Sequence, residues 1–153
     1  MARGLDGCTN ADKTDIEYME LLHRELTEAI LKTFYDVYNE LGYGFLERVY
    51  QNSMYLELQK RGFQVEAQKR IKVYYFETEV GDYFADLVVN NAVILELKAA
   101  ECIVQDFESQ LLNYLRGTEI EVGMLLNFGP KPEFRRKVFE NSRKKFFSRN
   151  SNP

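Results

Sequence analysis

Two acidic residues and one lysine interrupt consecutive apolar stretches of the chain, and their types and spacing could support chemistry. Asp86 lies within Ala85-Asp86-Leu87-Val88-Val89, and Glu96 and Lys98 lie within Val93-Ile94-Leu95-Glu96-Leu97-Lys98. An ionisable side chain in an apolar strand carries a burial cost that calls for a reason. Glu96 and Lys98 are two positions apart, so on a β-strand they share one face.

The face on which Asp86 lies depends on the register of the hairpin between the two stretches. A two-residue loop, Asn90-Asn91, would place Asp86 opposite Leu95 and mix charged with apolar side chains. A three-residue loop that includes Ala92 would place Asp86 opposite Glu96 and separate a charged face from an apolar one. We expect the three-residue loop, or an equivalent bulge, because asparagine also tolerates the left-handed backbone that such loops use.

The predicted pairing of Asp86 with Glu96 would create a site for a metal ion. Their Cβ atoms would lie about 4.5–5.5 Å apart, and carboxylates so close raise each other's pKa unless a cation joins them. Mg²⁺ or Mn²⁺ suits such oxygen ligands, and the backbone carbonyl of Leu97 could add one more. Lys98 could then orient a water molecule or offset phosphate charge, as metal-assisted phosphodiester hydrolysis requires. The plain alternative is a solvated strand edge or a surface ion pair.

The apolar spacing predicts the elements that position these residues. Helices are expected at 17–41, 45–61 and 103–116, with a last, basic helix at 133–147. Strands are expected at 63–68, 71–76, 83–89, 93–98 and 122–127. Hairpins followed by a helical crossover and another strand predict an α/β (α+β) fold, with a mixed four- to five-stranded sheet flanked by helices.

Composition excludes several classes of protein. The chain has 153 residues, enough for one domain with its own core, and a net charge of −4. A globally basic nucleic-acid binder is excluded, but residues 131–150 carry +6 and the remainder −10. One histidine (His23) and two cysteines (Cys8 and Cys102) supply neither a disulfide framework nor a usual zinc site.

The segment pattern predicts the location and the domain organisation. No apolar run reaches the length that spans a bilayer, and the first residues lack the apolar stretch of a signal peptide. We therefore expect a cytoplasmic protein without membrane contact. Residues 1–16 are predicted to be a flexible lead-in, 17–147 a single domain, and 148–153 a flexible tail.

Several motifs in order resemble the GxxExxY protein family, which is assigned to the PD-(D/E)XK nuclease superfamily. The name-giving motif matches Gly44-Phe45-Leu46-Glu47-Arg48-Val49-Tyr50. Further matches are Ala85-Asp86-Leu87, Glu96-Leu97-Lys98-Ala99, Gln110-Leu111-Leu112-Asn113-Tyr114 and Leu126-Asn127-Phe128-Gly129. The resemblance runs from about Leu21 to Gly129. Ala85 stands where the nuclease signature has proline, although that proline is often absent.

The resemblance implies a restriction-endonuclease-like αβββαβ core and a role for each matching residue. Asp86 and Glu96 would be metal ligands, Lys98 the catalytic lysine, and Glu47 the acid supplied by the helix before the sheet. Gln110 and Tyr114 are similar to the Gln-x-x-x-Tyr motif of RecB-like nucleases. Each has a structural alternative: with Gly44 as the N-cap, Glu47 would be the third helical residue, where an acid is favoured by capping, and Tyr114 could belong to the core.

The function expected from this pattern is metal-dependent hydrolysis of nucleic acid, with DNA favoured over RNA. The basic segment containing Arg135, Arg136 and Lys137 would contact phosphates, together with Tyr114. A homodimer or a partner protein could supply specificity. The main alternative is a nuclease fold without turnover that binds nucleic acid or acts as a scaffold. A glycosidase is disfavoured by Lys98 beside the acids and by the absence of tryptophan.

Overall fold

A five-stranded mixed sheet lies between two layers of helix in the computed structural model, which describes residues 13–144. The strands are β1 (Val65–Tyr75), β2 (Thr78–Val89), β3 (Val93–Lys98), β4 (Val122–Phe128) and β5 (Pro132–Val138), in that spatial order. The helices are α1 (Lys13–Leu21), α2 (Arg24–Leu41), α3 (Glu47–Lys60) and α4 (Gln105–Arg116), with a 3₁₀ turn at Asn141–Arg143. β3 and β4 are parallel, and the other neighbouring strands are antiparallel. The predicted fold class is confirmed, with α3-β1-β2-β3-α4-β4 as the αβββαβ core.

The two faces of the sheet carry separate hydrophobic clusters. The first cluster joins α2 and α3 to one face and includes Ile30, Phe34, Tyr50, Met54, Leu58, Leu87, Leu95 and Leu97. The second joins α4 to the other face and includes Ile71, Ala85, Val88, Ile94, Leu111 and Leu115. The charged residues of β3 therefore lie on the face that α4 covers, since side chains alternate along a strand.

The hairpin between β2 and β3 has the expected three-residue loop. Val89 pairs with Val93 and Leu87 with Leu95, so Asp86 comes opposite Glu96. Asn90 and Asn91 take left-handed backbone, with φ of 52° and 50°. The prediction from side-chain segregation is confirmed, because the alternative register would have turned the leucines of β3 to the wrong face.

Two predictions about how the chain divides into elements are wrong, one for the first helix and one for β1. The single helix at 17–41 is instead α1 and α2, separated at His23, whose φ is 53°. Apolar spacing continues across this break, so periodicity alone could not reveal it. The separate strands predicted at 63–68 and 71–76 form the continuous β1, which contains a left-handed residue at Gln68.

The predicted basic helix at 133–147 is wrong where the structure describes it. Residues Pro132–Val138 form β5, which pairs antiparallel with β4 along its whole length. Phe134 and Val138 pack on the first cluster. Their spacing of four places them on one face of either a helix or a strand, so it could not distinguish the two. The buried β4 requires hydrogen-bond partners on both sides, and β5 supplies one of them.

The predicted terminal segments fall mostly beyond the part of the chain that the structure describes. Residues 1–12 of the lead-in and all of 148–153 lie outside it, whereas residues 13–16 begin α1. The domain boundaries at 17 and 147 stay predictions. Between residues 13 and 144, no helix has the length and apolar character needed to cross a membrane.

Candidate active site

Glu47 begins α3 and reaches the end of β3. Leu46 is the N-cap residue, so Glu47 is the first helical residue and not the third, as the capping alternative with Gly44 required. An acid there is still favoured by the helix dipole. The half-buried Glu47 carboxylate lies near the Ala99 amide, which lowers its pKa. Burial raises the pKa of Glu47, and the nearby charge of Lys98 opposes that rise.

Asp86 lies just beyond the last paired residues of β2 and β3. The ladder ends at Leu87 opposite Leu95, and the Leu97 amide donates to Asp86 Oδ2 over 2.9 Å. The side chain of Asp86 thus holds β3 at the point where the backbone pairing stops. Burial raises the pKa of Asp86, and the hydrogen bond from Leu97 acts in the opposite direction.

Glu96 is a buried carboxyl group directly beside Asp86. It is 8% exposed, and burial together with the Asp86 charge raises its pKa to about 9. The interaction between the two carboxyl groups favours the proton on Glu96 and the negative charge on Asp86. Within the described residues, no donor reaches the buried Oε1 of Glu96. In the pair, the raised pKa therefore keeps Glu96 neutral, and its Oε1 has no hydrogen-bond partner among the described residues.

Lys98 stands at the end of β3, within electrostatic range of all three acids. Its charge lowers the pKa values of Glu47, Asp86 and Glu96. Its Nζ lies 4.9 Å from the centre of the Phe107 ring on α4, a cation–π contact that holds the ammonium group on the α4 side. The structure thus brings Glu47, Asp86, Glu96 and Lys98 to one end of the sheet.

The chain that follows Lys98 is fixed by Asn127, a residue to which the sequence pattern assigned no role. The fully buried Asn127 carboxamide accepts from the Ala100 amide over 2.9 Å and donates to the Ala100 carbonyl over 3.0 Å. This two-point contact holds the segment that presents the Ala99 amide to Glu47. A polar side chain in the apolar run Val122–Phe128 was the available signal, the same signal that singled out Glu96.

Gly129 packs so closely on this contact that we expect Gly129→Ala to destabilise the protein. An added Cβ would lie 2.3 Å from the Ala100 carbonyl oxygen and 2.9 Å from Asn127 Nδ2. Overpacking of this kind costs about 1–3 kcal/mol in the free energy of unfolding, measurable by urea denaturation. Gly81→Ala is the matched control, because nothing lies within 4 Å of its Cβ position. Equal stability of the two variants would contradict the tight packing at Gly129.

Gln110 and Tyr114 lie on α4, the helix facing Glu96. The Gln110 side chain lies near the Tyr114 hydroxyl and lowers its pKa, and Tyr114 stacks on Tyr83 with ring centres 3.5 Å apart. Burial raises the pKa of Tyr114, and the charges of Glu96 and Asp86 add to the rise. Tyr83 is a further neighbour that the sequence pattern missed: its buried hydroxyl has no partner among the described residues, and it lies within electrostatic range of Glu96.

The basic residues of β5 divide between the two faces of the sheet. Lys137 Nζ lies 2.8 Å and Arg135 Nε 3.7 Å from Glu108 Oε1 on α4. Arg136 instead donates to the Leu22 carbonyl over 2.7 Å. The three cations therefore do not share one face of the sheet, and their role in nucleic-acid binding stays a prediction.

The carboxylate pair fits a divalent cation. A cation beside Asp86 and Glu96 would offset their repulsion and give Glu96 Oε1 the partner it lacks, and hard divalent ions prefer oxygen donors. Across residues 13–144, no three His, Cys, Asp or Glu side chains are close enough to surround an ion. The fit is thus to an ion held by two carboxylates, with other positions left for water, as is usual for Mg²⁺.

The metal-free protein is expected to lose stability as the pH rises from about 5 to 8. The folded state keeps a proton on Glu96 up to a pKa of about 9, whereas the unfolded chain releases it near 4.5, so the folded state binds more protons in between. The free energy of unfolding, measured by urea denaturation with chelator present, should therefore fall across this range. Glu96→Gln should flatten the profile, and a wild-type profile that rises would contradict the raised pKa.

Comparison with known proteins supports a nuclease-type fold. The chain matches the PD-(D/E)XK nuclease superfamily over residues 24–137. No protein of curated function matches it. The crystal structure of SSO0001 is similar, with a TM-score of 0.47 and 16% identity, over 82% of this chain and 62% of that one. This chain thus spans less than two thirds of the length of SSO0001. Because the superfamily match covers most of its length, the chain belongs to the PD-(D/E)XK nuclease superfamily.

Proposed function

We propose that the protein is a metal-dependent nuclease that hydrolyses phosphodiester bonds. The observation that carries the proposal is the buried pair Asp86 and Glu96, with an unpartnered Glu96 oxygen and the Lys98 ammonium close by. Such a pair weakens the metal-free protein, since one acid must stay protonated to be buried. A pair of this kind is better explained by a bound cation than by folding stability.

We propose Mg²⁺ or Mn²⁺ as the ion, held by Asp86 and Glu96. Glu47 and the backbone carbonyl of Leu97 stay as further candidate ligands. When bound, the ion would supply positive charge to the phosphate oxygens and lower the pKa of a coordinated water. The Leu97 amide orients the Asp86 carboxylate for this role, since it already fixes Oδ2.

The other side chains prepare the reacting groups. Hydrolysis adds water across one P–O bond: the attacking water loses a proton, and the departing sugar oxygen gains one. The Lys98 ammonium can orient that water and offset the charge that grows on the phosphate. Gln110, which lies near Tyr114 on α4, can orient the substrate at the α4 side.

The proposed substrate is nucleic acid, with DNA favoured over RNA. Tyr114, Arg135, Arg136 and Lys137 are the proposed contacts to it, Tyr114 by stacking and the others by charge. Of the two side chains that face Glu108, that of Arg135 is the more exposed, with 44% of its surface accessible. A homodimer or a partner protein stays a proposed source of specificity.

Three finer assignments complete the proposal. The motifs that run from Gly44 to Gly129 place the chain, in our proposal, in the GxxExxY group of the superfamily. The cytoplasm is the proposed location, and the free, exposed Cys102 thiol suits a reducing compartment. A single domain at 17–147 is the proposed organisation.

Cleavage by the purified protein tests the proposal directly. Linear and circular DNA, single-stranded DNA and RNA would be incubated with Mg²⁺, with Mn²⁺ or with chelator. We expect cleavage that needs the ion and that Asp86→Ala and Lys98→Ala abolish. The absence of cleavage of every substrate would reject the enzyme, and cleavage unaffected by both variants would identify a contaminant.

A nuclease fold without turnover is the second candidate. The observation that favours it is that three carboxylates do not converge at ligand distance in the described part of the chain. A site for binding alone would need fewer fixed ligands than a catalytic one. Calorimetric titration with Mn²⁺ separates the two, because the nuclease requires ion binding and a silent module does not.

A further inference from the structure

Gln68 has left-handed backbone in the interior of a strand. Its φ is 51°, within β1, and the neighbouring pairs Ala67–Leu87 and Lys69–Ala85 place it opposite Asp86. Residues other than glycine rarely adopt this conformation, and such strained positions cluster at functional sites. The strain therefore falls at the strand position facing a proposed metal ligand.

The kink itself has a structural consequence. Val65 and Ile71 are six positions apart on β1 and should share a face, yet Val65 packs on the α2–α3 cluster and Ile71 on the α4 cluster. Leu87 and Ala85 of β2 divide in the same way. The outer half of the hairpin is thus turned over toward α4 at Gln68. Glycine could supply this turn without strain, so the kink does not explain why a glutamine is present.

The side chain of Gln68 supplies the missing reason. Its carboxamide lies close enough to the Asp86 carboxylate to lower the pKa of Asp86, and its Nε2 donates to Gln51 Oε1 over 3.3 Å. Gln51 lies on α3 one turn after Glu47. Gln68 therefore stands between Asp86, which it opposes across the strand pair, and the helix that supplies the third acid of the site.

We propose that Gln68 is a positioning residue that fixes the Asp86 carboxylate for a divalent cation. The Leu97 amide donates to Asp86 from β3, and the Gln68 carboxamide acts on the same carboxylate from the opposing position of β1. Groups that orient a metal ligand contribute to metal affinity although they do not touch the ion. The inference rests on the proposed function, because it concerns the same ion.

Gln68→Gly separates the side chain from the kink, since glycine keeps the left-handed backbone. Mn²⁺ binding by the full chain would be measured by calorimetry, and stability by urea denaturation. We expect the Kd for Mn²⁺ to rise by about 10- to 100-fold. The midpoint of denaturation should stay unchanged or rise, because the backbone strain is relieved. Phe76→Gly is the matched control: its φ is also 51°, but it lies at the hairpin turn and should leave the Kd unchanged.

The outcomes distinguish this inference from the proposed nuclease. An unchanged Kd in Gln68→Gly, while the wild type binds Mn²⁺, would overturn the role of Gln68 alone. A raised Kd with a lower denaturation midpoint would also overturn it, because the side chain would then hold the hairpin. Binding of Mn²⁺ without cleavage by the wild type would reject the nuclease and leave the Gln68 measurement valid. No Mn²⁺ binding by the wild type would overturn both.

Discussion

Glu96→Gln is expected to abolish metal-dependent cleavage while making the metal-free protein more stable than the wild type at pH 7. Because the pKa of Glu96 is about 9, its carboxyl group is already neutral there, and an amide of the same shape can still donate to Asp86. The unfolded wild-type chain releases the Glu96 proton at pH 7 and the variant has none to release, so the free energy of unfolding should be similar near pH 4 and higher in the variant at pH 7. The amide cannot become the anion that a divalent ion requires, so cleavage should fall at least about 100-fold.

Three measurements establish this separation of stability from function. Urea denaturation gives the free energy of unfolding, calorimetry gives the Kd for Mn²⁺, and cleavage of labelled DNA gives the rate. Glu101→Gln is the control, since Glu101 is exposed and five positions further along the chain. Cleavage by Glu96→Gln at the wild-type rate would exclude the pair as the metal site. A large loss of stability would mean that Glu96 is charged in the folded protein.

The β2–β3 hairpin shows what local pattern can predict. Its register followed from one requirement, that leucines and carboxylates occupy opposite faces, and the two asparagines at the turn supplied backbone that fits. Asp86 and Glu96 could be paired on this basis because both lie within one hairpin. Sequence distance is short there, so local side-chain alternation determines which residues meet.

The errors occur where a distant element decides the structure. Residues 132–138 form a strand because β4 requires a second hydrogen-bonded neighbour, and nothing within that segment specifies this. Asn127 was missed for a similar reason, because its partner Ala100 is 27 positions away. Gln68 lay at the end of a predicted strand, where its left-handed backbone and its contact with α3 could not be foreseen.

Lys98→Met is expected to remove cleavage while keeping metal binding. Glu96→Gln, in contrast, should lose cleavage because it lacks the anion that holds the metal. Methionine retains an apolar stem against the Phe107 ring, which Lys98 Nζ approaches to 4.9 Å, but it carries no charge. Loss of one positioned charge or donor from a transition state costs about 10²–10³ in rate. Mn²⁺ should bind at least as tightly as to the wild type, because a positive charge near Asp86 and Glu96 has been removed.

Lys72→Met tests whether any lost lysine charge would have the same effect. Lys72 lies on the outer part of β1, where its ammonium faces Glu79 and 48% of its side chain is exposed. Its variant should cleave like the wild type. If Lys98→Met bound Mn²⁺ more weakly and cleaved proportionately more slowly, Lys98 would be supporting the ion site rather than the reaction. Cleavage by Lys98→Met at the wild-type rate would exclude Lys98 from the mechanism. The ion would then be the main source of positive charge near the phosphate.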